Sequence, residues 1–360
     1  MLSIGVLTGC FDSAVDTSMS NTLGQSSSGY AAVLPETKLA FPYDHLPHPT
    51  FRQEWWYLTA NLETESGKQI GVQWTQFRMA MSPEAEARIQ TEALTKSQGW
   101  ATNQLYLAHT AVTTKDTHLA NEKWSREHPK FSAVSASPFE IKLDNWTWEA
   151  QGDDLFPALL TVESDQFDYR LALTNDSPLQ LQGENGYSRK SADGSVASHY
   201  YSQPFIDVKG EVKLNGELIS VTGTAWLDRE WSSQFLADSQ QGWDWFALRL
   251  HDGSTLMLFQ LRPSNAEQKS FYSGRRMYPD GRGENIPSAD ISMTPLDYHQ
   301  VDEGSYPVVW NIVIPTQQIN LNINALNKEA KMPLSIPYWE GPVYFNGSHT
   351  GEGYMELTGY

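Results

Sequence analysis

After Pro35 and Pro42 the chain reads as apolar and aromatic runs broken at short intervals by turn-forming residues, the pattern of an all-β sandwich or barrel. Glu54 to Leu62 and Gln69 to Met79 flank Glu65-Ser66-Gly67-Lys68 and predict a hairpin whose glycine supplies the unusual turn dihedral. Further strands are predicted over Gln104 to Val112, Phe139 to Trp148, Ala158 to Glu163 and Asp168 to Thr174. A second series runs through Leu218 to Leu227, Trp243 to Leu250, Thr255 to Arg262, Pro307 to Ile314, Gln318 to Asn324, Tyr338 to Phe345 and Gly353 to Thr358. His251-Asp252-Gly253-Ser254 is a hairpin signal between the second and third of these. Ile319, Leu321 and Ile323 alternate with Gln318, Asn320, Asn322 and Asn324, so that strand has one buried and one wet face. The one helical signal covers Pro83 to Gln98. Two antiparallel β-barrel or half-barrel domains, 38–215 and 216–360, joined around residues 205 to 220, account for both series.

The N-terminal segment adds a tether. Residues 11–37 are rich in Ser, Thr, Gly and Asp without an apolar period, as a flexible spacer is. The apolar stretch before them, residues 1–10, closes on Leu7-Thr8-Gly9-Cys10, which resembles the lipobox of bacterial lipoproteins. In such proteins the cysteine is lipidated and becomes the mature N-terminus. No Lys or Arg precedes Lys38, so the basic head of a signal peptide would lie upstream of Met1. A chance small-residue run ending in a buried cysteine is the plainer alternative. No window reaches the ~18 to 20 apolar residues of a membrane-spanning helix. The expectation is a soluble body held in the bacterial cell envelope, facing the periplasm, by a lipid on Cys10.

Composition narrows the partners. Lys plus Arg number 25 against 43 Asp plus Glu, a formal charge of −18, which repels the phosphates of a nucleic acid. With 40% hydrophobic and 19% charged residues the chain fills a core, and 13 Trp, 16 Tyr and 14 Phe favour strands. Cys10 is the single cysteine, so the chain forms no internal disulfide and no thiolate metal cluster.

No G-x-S-x-G elbow, H-E-x-x-H, P-loop, G-x-G-x-x-G or EF-hand loop is present, which disfavours the best-marked hydrolases, zincins and nucleotide enzymes. Asp44-His45-Leu46-Pro47-His48 gathers a carboxylate and two imidazoles, but in a proline-fixed loop that reads more readily as structural than as a metal site. No metal and no cofactor is expected. His109 on a strand face is either a hydrogen-bonded interior histidine or a titrating group of a site. The densest constellation is Thr224-Ala225-Trp226-Leu227-Asp228-Arg229-Glu230-Trp231, followed by Gly242-Trp243-Asp244-Trp245. In extended chain Trp226, Asp228 and Glu230 share one face while Leu227, Arg229 and Trp231 share the other; Trp243 and Trp245 share a face with Asp244 opposite. Such a set can form a water-poor pocket that keeps a carboxyl protonated and stabilises a cation on an indole face. Equally, Asp228 or Glu230 can pair with an arginine while the tryptophans seal a domain junction. At Glu54-Trp55-Trp56-Tyr57 a carboxylate flanked by aromatics either lines a ligand mouth or bridges to Arg52 or Arg78.

Together these residues resemble the AttH/CrtC family, carotenoid 1,2-hydratase-like proteins, some of them described as predicted secreted hydrolases. The resemblance rests on Phe41-Pro42-Tyr43-Asp44-His45, Phe51-Arg52-Gln53-Glu54-Trp55-Trp56-Tyr57, Gly186-Tyr187-Ser188 and Ser198-His199-Tyr200-Tyr201-Ser202. It continues through Asp228-Arg229-Glu230-Trp231, Gly242-Trp243-Asp244-Trp245, Tyr338-Trp339-Glu340-Gly341 and Gly353-Tyr354-Met355-Glu356-Leu357-Thr358-Gly359-Tyr360. It implies two lipocalin-like antiparallel β-barrels, an apolar ligand and, for the AttH branch, association with an ABC-type export system. In the hydratases a histidine and a tryptophan follow the first Asp of this motif and a Tyr-x-Asp pair comes later. Trp231 and Asp244 match that pattern, whereas Arg229 and Gly242 do not, and an arginine is a poor proton donor. The first expectation is therefore a lipid-anchored envelope protein that binds a long apolar or lipid-like molecule, with an ABC-type permease as partner. Glu54, Trp56, His109, Trp226, Trp243 and Trp245 are its candidate ligand contacts. The alternative is a hydratase or hydrolase on the same ligand class, with Asp228, Glu230, Trp231 and Asp244 as candidate catalytic residues.

Overall fold

The computed structural model describes residues 27–83, 102–265 and 267–360. Cys10 with its lipobox, most of the spacer, and the helix read over Pro83 to Gln98 except its first residue lie outside the described residues.

Three single-turn 3-10 segments apart, the described elements are strands. The first group is β1 (Gln53–Thr64), β2 (Gln69–Ala80), β3 (Gln104–Thr113), β4 (His118–Arg126), β5 (Ser132–Ala136), β6 (Phe139–Leu143), β7 (Trp146–Ala150), β8 (Ala158–Glu163), β9 (Phe167–Thr174), β10 (Gln180–Leu181), β11 (Tyr187–Arg189), β12 (Ala197–Leu214) and β13 (Glu217–Ser232). The second is β14 (Gln240–Leu250), β15 (Thr255–Pro263), β16 (Phe271–Met277), β17 (Gly283–Ile286), β18 (Ser292–Val301), β19 (Gly304–Ile314), β20 (Ile319–Ala325), β21 (Lys331–Met332), β22 (Tyr338–Gly347) and β23 (Gly351–Leu357).

Each group makes one antiparallel sheet. The first runs β4-β3-β2-β1-β13-β12-β9-β8-β7-β6-β5, with β10 and β11 on β12. It curls until Lys123 of β4 reaches Asp144, in the turn after β6, at 2.6 Å. The second runs β17-β16-β15-β14-β23-β22-β20-β19-β18, with β21 on β22. Among the described residues the fold is thus all β, built of two curled antiparallel sheets, as the sequence pattern implies.

Both anticipated hairpin turns form around left-handed glycines, Gly67 at φ +79° and Gly253 at φ +87°. Two strand assignments are corrected. Phe139 to Trp148, read as one strand, is the β6–β7 hairpin, and Asp144 at φ 59° makes the turn. Leu218 to Leu227, read as opening the second series, belongs to β13, which pairs with both β1 and β12 in the first sheet. The cause is a hairpin signal at Asn215-Gly216, where φ is 54° and 81°; the Asn-Gly pair turns β12 straight back into β13. The passage from one sheet to the other therefore falls at residues 233–239, and not around 205 to 220.

The interior of each curled sheet is filled by its own side chains. Trp56, Trp74, Trp146 and Trp148 pack in the first, Phe246, Trp310 and Trp339 in the second. Separate clusters join the two sheets, one around Tyr57, Tyr200, Trp226, Trp245 and Phe259, another around Leu107, Phe235 and Tyr338. The sheets approach closely at Gly71, where a Cβ would run into the Tyr354 hydroxyl and the Pro342 ring.

Candidate ligand cleft between the sheets

Strand alternation decides which side chains reach the seam. On β1, Trp55 and Tyr57 face the other sheet while Trp56 joins the packed interior of the first. On β13, Trp226, Asp228 and Glu230 face the seam, and Leu227, Arg229 and Trp231 turn inward, the division the two-residue period predicts. On β14, Trp243 and Trp245 face the seam with Asp244 behind them.

These faces line a cleft whose empty space, the part open to solvent included, is about 710 Å³. The first sheet and its loops contribute Trp55, Tyr57, Thr75, Phe77, Lys190, Tyr200, Asp228, Glu230 and Phe235. The second contributes Trp243, Trp245, Phe259, Leu261, Tyr338 and Glu356. Asp228 accepts hydrogen bonds from Tyr200 Oη (2.5 Å), Ser202 Oγ (2.5 Å) and Trp226 Nε1 (2.7 Å). Burial nevertheless outweighs these donors and pushes its carboxyl up to about 7. Glu356 accepts from Trp243 Nε1 at 2.6 Å; burial, with the charges of Asp228 and Glu230, raises it also to about 7. Glu230 is bound by Ser198 and by the Lys190 ammonium at 2.6 Å. Behind the wall Glu340 accepts a 2.5 Å hydrogen bond from the Tyr57 hydroxyl, and burial beside Glu356 holds it well above the usual carboxylate range. Two lining carboxyls thus change charge near neutrality, where each can donate a hydrogen bond or accept a cation.

The other candidates lie elsewhere. Glu54 is fully buried among Arg78, Arg229 and His48, a salt-bridged cluster at one end of the first barrel and not a ligand mouth. Arg78 is one of the two partners the sequence suggested. Trp56 carries the Arg229 guanidinium 3.9 Å over its ring, and Trp231 stacks on His48 at 4.0 Å. Asp244 is held in the second barrel by Arg262 and Gln260, both at 2.5 Å, and by Tyr360 at 2.7 Å. The residues at the hydratase positions, Arg229, Trp231 and Asp244, therefore point into two different interiors and not into the cleft. Trp226 stands at its edge, bonded to Asp228. His109 lies one layer behind, its Nδ1 3.1 Å from the Tyr338 hydroxyl, and burial drives it to about 3, so it is a neutral interior histidine. Asp44 and His48 bond each other, whereas His45 turns away to Tyr201 (2.6 Å) and Asp154 (3.1 Å), so that loop does not converge on a metal.

Sequence reasoning passed over Trp55 and Tyr57 because the acid at Glu54 drew attention to the opposite face. It also passed over Lys190, Tyr200, Phe235, Phe259, Tyr338, Glu340 and Glu356. A signal existed for the acids: Tyr338-Trp339-Glu340 and Tyr354-Met355-Glu356 each put a carboxylate inside an apolar strand, where it needs a partner or a proton.

Fold and site define a two-barrel β protein with an acid-bearing aromatic cleft at its seam. The chain belongs to the AttH-like family, whose model matches residues 32–360. A crystal structure of an AttH protein from Nitrosomonas europaea is 34% identical, with a TM-score of 0.80 over 92% of this chain and 99% of that one. Kievitone hydratase from Nectria haematococca shares the fold at 11% identity, with a TM-score of 0.67 over 92% of this chain and 96% of its own. No curated protein matches the chain.

Proposed function

We propose that the chain binds an apolar small molecule in the cleft between its barrels and carries it at the cell envelope. The observation that supports this most directly is the lining of the seam cleft, where Trp55, Phe77, Phe235, Trp243, Trp245, Phe259 and Leu261 surround a few polar groups, the predominantly apolar and aromatic make-up of a small-molecule site. Burying roughly 250 Å² of apolar ligand surface contributes about 6 kcal/mol before the costs of association. Mass spectrometry of organic extracts from freshly purified protein should show a stoichiometric apolar compound, lost when Phe235 and Leu261 are both changed to Trp to fill the cleft. Extracts free of any such compound, together with no tryptophan-fluorescence response to fatty acids, phospholipids or isoprenoids, would count against it.

The envelope placement is part of the same proposal. Leu7-Thr8-Gly9-Cys10 supplies the anchor, and the carrier hands its cargo to or takes it from an ABC-type permease. With a full signal sequence supplied, Cys10→Ser should shift the protein from the membrane pellet to the soluble fraction; an unchanged pellet contradicts the anchor.

A second reading has one observation in its favour, namely Asp228 held near neutrality beside the indole N–H of Trp226. In that reading Asp228 protonates an unsaturated ligand. Asp228→Asn would then abolish turnover with little change in ligand affinity.

A further inference from the structure

We propose that the cleft's ligand carries an organic cation, such as an alkylammonium group, on its apolar body, and that Asp228 and Glu356 receive it. This rests on the reading of the cleft as a ligand site and narrows its chemistry.

The first observation is a charge imbalance. Asp228, Glu230 and Glu356 line the cleft, and among the described residues that line it Lys190 is the single cation. Lys190 is committed to Glu230. Asp228 is met by neutral donors, Tyr200, Ser202 and Trp226, and Glu356 by Trp243. Behind them Glu340 adds a fourth carboxyl, met by the neutral hydroxyls of Tyr57 and Tyr338. Such a set is neutralised by protons or by a cation brought in from outside.

The second observation is ring geometry. The Lys190 ammonium lies 4.3 Å over the Phe259 ring and 5.1 Å over Tyr200, against the Glu230 carboxylate. The cleft therefore already houses one ammonium between ring faces and a carboxylate. Asp228 and Glu356 line the same cleft as Trp55, Trp243 and Trp245, so carboxyls and aromatic side chains occur together there with no cation of their own. Aromatic faces attract cations through their quadrupoles, most strongly when water is excluded. A neutral apolar ligand would leave this arrangement unused.

The pH dependence has a definite sign. Asp228 faces Tyr200 of β12, Glu230 of its own strand and Glu356 of β23; Glu356 faces Asp228, Glu230 and, beyond it, Glu340. Both acids titrate near 7 in the empty cleft. A cation binds their ionised forms, so its affinity rises with pH, whereas a neutral hydrogen-bond acceptor binds their protonated forms and weakens.

Decyltrimethylammonium, decanol and decanoate share one chain and differ in the head group. Titrating each into the wild-type protein at pH 6 and pH 8, with calorimetry and tryptophan fluorescence as readouts, tests the inference. The ammonium should bind roughly tenfold or more tighter than the alcohol at pH 8, with a smaller advantage at pH 6, and decanoate should bind most weakly. An Asp228→Asn, Glu356→Gln double variant should bring ammonium and alcohol within about twofold, while Lys190→Met, which frees Glu230, should widen the ammonium's advantage. Equal binding of ammonium and alcohol by the wild-type protein at pH 8 would overturn the cation and leave the apolar cleft standing. Failure of all three probes would overturn both.

Discussion

Glu54→Gln is expected to lower the free energy of unfolding by ~3 to 5 kcal/mol, because it leaves the buried Arg78 and Arg229 guanidiniums without their shared carboxylate. Glu54 has no exposed surface, and Arg229 also hydrogen-bonds the Leu46 carbonyl at 2.8 Å, so the cluster ties β1, β2 and β13 to the loop that crosses the barrel end. Burial alone would raise the Glu54 carboxyl, but the two arginines and His48 hold it well below the usual carboxylate range. Its contribution is therefore complete above that range and disappears only as the pH falls through the lowered value. Chemical denaturation of the wild-type protein and the variant at pH 7 checks the deficit. Ligand binding by the variant that remains folded should be unchanged, since Glu54 does not reach the cleft.

Asp228→Asn is expected to act in the opposite sense and only at higher pH. The Asp228 carboxyl is pushed up to about 7 from 3.8, so its stabilising protonated form is fully present below about pH 4 and is lost as the pH rises through 7. The wild-type protein should lose about 1.4 kcal/mol per pH unit relative to the variant across that window, roughly 4 kcal/mol in all. Thermal melts of the two proteins should converge near pH 4 and separate by pH 8, with the variant the more stable. A difference that stays constant with pH would show that Asp228 is ionised throughout, as a salt-bridged structural acid would be.

The two-residue period shows which side chains share a face, and for β1, β13 and β14 it sorted the seam-facing from the inward-facing residues correctly. It does not say which face meets the other sheet. Glu54 and Asp244 looked like site acids because their type is costly to bury unpaired. Their arginine partners come from other strands: the sequence offers Arg78 for Glu54, whereas Arg229 for Glu54 and Arg262 for Asp244 emerge only from the fold. Lys190 sits just past the three-residue strand β11 with no periodic pattern around it, and nothing local marks its place in the cleft. The join between the sheets lies beyond the boundary expected at residues 215 and 216 for a simpler reason: Asn215-Gly216 is among the strongest short hairpin signals a sequence offers, and it turns the chain back within the first sheet.

Ligand is expected to occupy the seam and not a barrel interior. Photolabelling with an alkyl diazirine, followed by peptide mapping, tests it directly. Saturable labelling should fall on Trp55 to Phe77, on Lys190 to Tyr200 and on Trp243 to Leu261. Labelling centred on interior residues such as Leu160 or Trp310, or labelling that a non-photoreactive alkyl competitor does not displace, would contradict it.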